Sequence, residues 1–336
     1  MTIGRYVGEL QQWDPLQEML CGIAAGRLEA RERAGFSVFR LAGTNEIYAY
    51  EGLESATRIV CKFFGTRFGG DVTTAARAAC REQEALRALR EVGLRGSPHH
   101  VVRPYGFAPD INCVLALEYY EGERLSEAID RALWHGDEPL LFRRLEALAY
   151  FLATQHHRTT TELPVEFDVD CAYLDVLLEM LRGAGRVGQW DIDELCWLRE
   201  LWRARPRMWQ DRQVWLHGDA TPANFLFGDH LDVAAIDLER CRRGDRLFDV
   251  GRIAGELQHS FLQATHDPDR AEPFIGYFLR AYCGHFPEPE AMFAALTARS
   301  PYYRACTLLR VARNTYIDAD HAGTLIEHAK RQLRTP

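Results

Sequence analysis

One stretch constrains the fold of this chain more than any other. After about residue 120 the apolar residues recur at helical spacing, as in LSEAIDRALWHG, LLFRRLEALAYFLATQHH and CAYLDVLLEMLRGAG. That pattern is broken by LHGDATPANFLFGDHLDVAAIDLE, residues 216–239. Within it FLF and VAAI read as two short strands joined by the turn Gly228-Asp229-His230. Such a hairpin returns Asn224 and Asp237 towards one end, with Asp219 on the loop leading in. Two oxygen ligands and a third carboxylate on one rim suit a hard cation beside a proton acceptor.

The chain before residue 120 has a different rhythm. Asp14 and Pro15 open a helix, DPLQEMLCGIAAGRLEARERAG, expected to end near Gly35. FSVFRLAG, EIYAYEG and RIVCKFF then read as strands. The long helix TTAARAACREQEALRALREVG follows, with Gly93 as its stop, and VVRPYGFAPD and CVLALEYY return to strand character. This order predicts a small sheet carrying one packed helix. The second part resumes its helices with FDVGRIAGELQHSFLQA, AEPFIGYFLRAYCG, PEAMFAALTA, YYRACTLLRVARNTY and GTLIEHAKRQL.

Charge and cysteine usage narrow the function. Residues 1–118 hold 14 basic and 14 acidic side chains, and the remainder holds 26 and 34, so the net charge of −8 belongs to the second part. That balance argues against a nucleic-acid partner and favours a cationic ligand there. The apolar fraction is that of a globular protein, and no run is long enough to span a membrane. The start, MTIGRYVGELQQWD, lacks the basic and apolar pattern of a secretory signal, and nine singly scattered cysteines suit buried thiols in a reducing compartment. A cytoplasmic location is expected.

Only Lys62 and Lys330 supply lysine among forty basic residues. Lys62 lies in a strand and invites a chemical reason, whereas Lys330, on a terminal amphipathic helix, reads as a solvated surface charge. Phosphoryl transfer from a nucleotide asks for cations on the phosphates, a metal held by oxygens, and a carboxylate directed at the attacking hydroxyl. Asn224 and Asp237 fit the metal, Asp219 the hydroxyl and Lys62 the phosphates.

At these residues the sequence resembles the aminoglycoside phosphotransferase and choline kinase family, relatives of the protein kinases. The pattern is His217-Gly218-Asp219, Asn224, Ile236-Asp237-Leu238-Glu239, then Asp249 in RLFDVGR. The resemblance extends through the strand with Lys62, the helix with Arg81-Glu82 and the hinge-like LALEYYEGERL. It implies an α+β, bilobal protein-kinase-like fold: a small N-terminal antiparallel sheet with one long helix, then a larger, mostly helical lobe. The implied organisation is a helical extension over 1–37, a nucleotide-binding lobe over 38–118, and a lobe over 119–336 with the catalytic loop and acceptor site.

The resemblance also implies roles. Asp219 matches the catalytic base, Asn224 and Asp237 the ligands of Mg²⁺, and Lys62 the lysine on the phosphates of ATP or GTP. Glu82 matches that lysine's partner, with Glu84 as the alternative. Glu118, Tyr119 and Tyr120 would read the base through their backbone, and Gly43, Thr44 and Asn45 match the loop over the phosphates. His217 and Asp249 are expected to brace the loop; Glu239 is either a supporting ligand or an ion-pair member. With little chain between Asp237 and Asp249 for docking a peptide, the acceptor is expected to be a small-molecule hydroxyl, with an aminoglycoside or other amine-bearing alcohol as candidate. The competing readings are a nucleotide-binding pseudokinase and a kinase for a sugar, amino alcohol or larger acceptor.

Overall fold

The computed structural model describes residues 4–29, 35–42, 46–69 and 71–335. By its internal contacts the chain forms two units, one of residues 1–121 with 234–239, the other of residues 122–233 with 240–336. The expected boundary after 118 therefore falls after 121. The segment carrying Asp237 belongs to the first unit although it lies far along the chain.

The first unit is built on a six-stranded antiparallel sheet. Its strands are β1 (Arg5–Glu9), β2 (Phe36–Arg40), β3 (Glu46–Gly52), β4 (Arg58–Phe63), β7 (Pro104–Ala108) and β8 (Val114–Glu118), in the order β1-β2-β3-β4-β8-β7. Two short strands, β5 (Arg95–Gly96) and β6 (His99–Val101), pair with each other outside this sheet. Val102 N–H donates to the Ala235 carbonyl at 3.4 Å, which ties the late segment to this unit.

Two helices serve the six-stranded sheet, where one was expected. α1 (Pro15–Arg27) starts as the sequence indicates: Asp14 accepts the Leu16 N–H at 2.9 Å and Pro15 occupies the first turn. It ends at Arg27, well before Gly35. Its Leu16, Leu20 and Ile23 pack in one cluster with Phe36, Tyr50, Ile59, Cys61, Val114 and Ala116. Residues 5–27 are thus part of the first unit's own sheet and core, where the sequence suggested a helical extension over 1–37. α2 (Val72–Glu91) is capped by Asp71, which accepts the Thr74 N–H at 3.1 Å, and stops beside Gly93, whose φ is +98°.

Side chains of a strand alternate between faces. On β4, Ile59 and Cys61 join the α1 cluster, so Lys62 points the other way, where Glu82 of α2 meets it.

The second unit is mainly helical. Its elements are β9 (Glu123–Arg124), α3 (Leu125–His135), α4 (Glu138–Arg158), α5 (Phe167–Gly183), α6 (Gln189–Arg203), β10 (Val214–Leu216) and β11 (Phe225–Phe227). The chain continues through β12 (Val233–Ala235), whose end lies in the first unit, to β13 (Arg242–Gly244), α7 (Leu247–Thr265), α8 (Glu272–Cys283), α9 (Pro289–Ala312) and α10 (Ala319–Leu333). The expected turn between FLF and VAA is closed by Gly228 N–H on the Asp232 carbonyl at 3.1 Å, with His230 at φ +53°.

PEAMFAALTA and YYRACTLLRVA form a single helix, α9, that runs through Pro301. Proline leaves the carbonyl four residues back without its N–H partner. Here that carbonyl, of Thr297, accepts the Ser300 hydroxyl at 3.4 Å, and buried Tyr302 and Tyr303 hold the following turn.

Lys330 is also a correction. It is buried, with its ammonium 2.6 Å from Asp191, 3.3 Å from Glu194 and 3.1 Å from Glu327. Three carboxylates compensate its charge. All nine cysteines are free thiols, five of them buried. No helix among the described residues is long and apolar enough to cross a membrane.

If α1 belongs to the core, Leu20→Ala destabilises the protein by about 2–5 kcal/mol in denaturant unfolding. A cost below about 0.5 kcal/mol, typical of surface positions, would make α1 an appendage.

Candidate active site

In the first unit the chemistry gathers around Lys62. Its ammonium donates to Glu82 Oε2 at 2.7 Å and to Asp237, and lies 3.4 Å from Glu239. Arg67 closes the group from the other side by pairing with Glu239. Glu82 is fully buried and Glu84 is exposed, so α2 presents the former to β4. Helix geometry explains the choice: Ala75, Ala78, Ala79, Ala85, Leu86 and Leu89 form the buried face of α2, and Glu82 falls on it.

The electrostatics follow from crowding. Burial alone would lower the pKa of Lys62, but Glu82, Asp237 and Glu239 outweigh it and the shift is upward. Lys62 is therefore a fixed cation. Glu82 is pushed up, first by burial and then by its acidic neighbours, against the pull of Lys62. Three carboxylates thus share one ammonium, and burial adds to the cost of ionising Glu82.

The same cluster suits a hard cation. Glu82, Asp237 and Glu239 can each offer an oxygen, and these oxygens lie within 4.8 Å of one another. Glu82 Oε1 is buried without a hydrogen-bond partner among the described residues. Asp237 takes a left-handed conformation, φ +62°, unusual for a residue with a side chain and of the kind that concentrates at functional positions.

Glu118 ends β8, and Tyr119 and Tyr120 follow it outside the strand. The Glu118 N–H donates to the Arg103 carbonyl at 2.9 Å, so a base read at this segment cannot use it. The Glu118 carboxylate accepts the Arg103 N–H at 2.9 Å and meets His100 Nε2 at 2.8 Å, while the His100 ring stacks on Tyr120. Gly43, Thr44 and Asn45, expected over the phosphates, lie outside the described residues.

In the second unit the loop 217–224 is organised by a carboxylate on α7. Asp249 accepts the N–H of His217 at 2.6 Å and that of Gly218 at 3.0 Å. Gly218 has φ +80°, and a Cβ there would stand 1.9 Å from the Arg240 carbonyl oxygen, so only glycine fits. His217 is buried, and its Nδ1 accepts the Asp219 N–H at 3.3 Å. Asn224 donates its amide N–H to the Asp219 carbonyl at 2.9 Å, which leaves Oδ1 as the ligand atom.

The Asp219 carboxylate meets Arg252 at 2.6 Å and Arg240 at 4.0 Å. Burial would raise its pKa; Arg252, Arg310 and Arg240 outweigh that and lower it. An ionised carboxylate of this kind is suited to orienting a hydroxyl more than to removing its proton early. Sequence reasoning missed Arg252. Its signal was present: it lies one helical turn after Asp249, on the same face of α7. His156 is a buried core residue that also supports Asp249, at 3.4 Å, and meets the Tyr282 hydroxyl at 2.8 Å.

An antiparallel sheet with the Lys62–Glu82 pair, followed by a helical unit with a braced HGD loop, defines a phosphotransferase of the protein-kinase-like class. The profile of the phosphotransferase enzyme family matches residues 49–293, and the chain belongs to that family. Comparison with curated protein sequences gives no match. Among solved structures, choline kinase from Cryptosporidium parvum is similar, with TM-score 0.62, 14% identity, and 94% of each chain covered. Plasmodium vivax ethanolamine kinase gives TM-score 0.58 and 14% identity over 88% of this chain and 82% of its own. An amicoumacin kinase in complex with AMP-PNP and Ca²⁺ gives TM-score 0.56 and 16% identity over 89% of each chain. At these identities the likeness is one of fold.

The brace has a pH consequence. Burial would raise the Asp249 pKa, but His156, His217 and the backbone donor at His217 lower it. Its stabilisation is then present above the unfolded value of about 4 and disappears as pH falls through the depressed folded value. Asp249→Asn should cost about 1.5–3 kcal/mol at pH 7, with the gap to wild type closing towards pH 2 in denaturant titrations. A gap independent of pH would remove the charge from the brace.

Proposed function

We propose that this chain transfers the γ-phosphate of ATP or GTP to a hydroxyl of a small molecule, with Mg²⁺ as the assisting ion, in the cytoplasm. The carrying observation is Lys62: a buried, permanently charged ammonium held by Glu82 and facing Asp237. A cation desolvated to this extent needs anionic partners, and a nucleotide phosphate would share it with Glu82. The nine free thiols agree with a reducing compartment.

The roles divide by chemistry. Lys62 neutralises phosphate oxygens, and Glu82 fixes the direction of its ammonium. Asn224 and Asp237 are the protein ligands for the divalent ion, whose positive charge would offset that on the phosphates. Asp219 accepts a hydrogen bond from the acceptor hydroxyl and aligns its oxygen. The oxygen–phosphorus bond to the acceptor forms, the bond between phosphorus and the β–γ bridging oxygen breaks, and the nucleoside diphosphate leaves. The hydroxyl proton passes to Asp219 late in the transfer and from there to solvent. Glu118, Tyr119 and Tyr120 contact the base, and Gly43, Thr44 and Asn45 cover the phosphates.

The similar folds named above include kinases of choline and ethanolamine, both amine-bearing alcohols. The acidic balance of residues 119–336 favours an acceptor of that kind. The side chains nearest Asp219 do not.

Asp219→Ala should leave the melting temperature within a few degrees of wild type and retain stabilisation by ATP with Mg²⁺. Nucleotide turnover should fall about a thousandfold or more. Turnover at the wild-type rate would remove Asp219 from the reaction.

A further inference from the structure

A cavity of about 320 Å³ opens in the second unit, bounded by α5, the segment after Glu239 and the first turns of α7. Gly218 lines it, immediately before Asp219, so the cavity adjoins the carboxylate assigned to the acceptor hydroxyl. Its size is that of a small-ligand site. The charged residues lining it are all arginines: Arg240, Arg242 and Arg252. Val169, Val176 and Phe248 supply an apolar wall.

The three arginines are not equivalent. Arg252 is buried, committed to Asp219 at 2.6 Å and to the Tyr173 hydroxyl at 2.8 Å. Arg240 and Arg242 keep side chains 46% and 31% exposed. Arg240 lies 4.0 Å from Asp219, and Arg242 lies 3.3 Å from Asp170 while its guanidinium sits 4.4 Å over the Phe248 ring. Asp170 supplies Arg242 with one counter-charge, although burial, above all, raises its pKa to about 6 and it also accepts the Tyr303 hydroxyl at 3.0 Å. Arg310 and Arg313 add to the positive surroundings of this region, Arg310 being paired with Glu256.

Local charge outweighs lobe charge here. Interactions between exposed groups are screened beyond roughly 8 Å at physiological ionic strength, so the acidic balance of distant helices weighs little inside this cavity. A ligand ammonium would meet like charges at every charged position on its wall. A carboxylate or phosphate would find planar guanidinium donors, one of them aligned by an aromatic ring.

We infer that the acceptor of this phosphotransferase is an anionic alcohol, a small molecule carrying a carboxylate or phosphate in addition to the hydroxyl, with Arg240 and Arg242 as its recognition residues. The inference rests on the phosphotransfer reading and gives its acceptor a chemical class. An apolar portion of the molecule lies against Val169, Val176 and Phe248. The sequence carries the same signal in RCRR, residues 240–243, a basic run inside the acidic part of the chain.

The test is a turnover screen of the full chain with ATP and Mg²⁺ against two sets of alcohols, read by mass gain of one phosphoryl group. One set holds hydroxycarboxylates and hydroxylated phosphate monoesters; the other holds choline, ethanolamine and aminoglycosides. Products are expected in the anionic set, with Arg240→Gln and Arg242→Gln each lowering kcat/KM at least about tenfold through KM while ATP protection against melting stays unchanged. Products confined to the amine set, or an anionic acceptor indifferent to both substitutions, would overturn the inference and leave phosphotransfer standing. If no compound turns over, melting with both sets at saturating ATP decides. Protection by anions, lost in the two variants, upholds the assignment; protection by amines, or by neither set, overturns it. Failure of ATP itself to protect would remove the phosphotransfer reading instead.

Discussion

The first unit depends on one buried cation. Lys62 cannot reach solvent, and removing its charge compensation would cost several kcal/mol, so the surrounding structure is arranged to keep Glu82, Asp237 and Glu239 beside it. The alternation of β4 sends Lys62 to the face opposite α1, and the alanine-rich face of α2 comes close enough for Glu82 to meet it. The segment 234–239 joins this unit because Val102 holds its backbone and Lys62 and Arg67 hold its carboxylates. Too many carboxylates for one ammonium leaves a set of hard oxygen donors, the composition expected of a site that handles phosphate with a divalent ion.

The second unit solves a different problem, that of holding an irregular loop still. Buried backbone N–H groups outside helices and strands need acceptors. Asp249 supplies two at once, for His217 and Gly218, and is itself supported by His156. Asn224 then satisfies the Asp219 carbonyl. With its backbone fixed in this way, Asp219 has only its carboxylate left to respond to a ligand, and the neighbouring arginines keep that carboxylate ionised.

Much of this was legible in the sequence, for identifiable reasons. The helix start at Asp14 and the stop at Gly93 rest on local backbone chemistry, and those signals survive folding. Glu82 came from the resemblance with Glu84 left open, and the buried face of α2 holds only Glu82. What was lost depends on tertiary context. β1 and α1 looked like an extension because nothing local says that Leu16, Leu20 and Ile23 share a core with β4 and β8. PEAMFAALTA and YYRACTLLRVARNTY read as two helices because the Ser300 hydroxyl and the packing of Tyr302 and Tyr303 cannot be seen in a window of sequence. Net charge suggested a cationic ligand, but it averages over a lobe, whereas a ligand responds to the few side chains within a Debye length. Lys330 is the sharpest lesson. It is as rare and as buried as Lys62 and has three carboxylates of its own. Rarity with burial therefore does not identify a phosphate-binding lysine; the strand, the partner helix and the IDLE segment do.

Those two lysines also offer the most direct measurement. With lysine alone isotopically labelled, the side-chain resonances of a full-length sample report on Lys62 and Lys330, assigned by Lys62→Arg and Lys330→Arg. Titration with Mg²⁺ and a non-hydrolysable ATP analogue should shift the Lys62 signal in a saturable manner and leave Lys330 in place. A Lys62 signal that does not move while the nucleotide demonstrably binds would contradict the account at its centre.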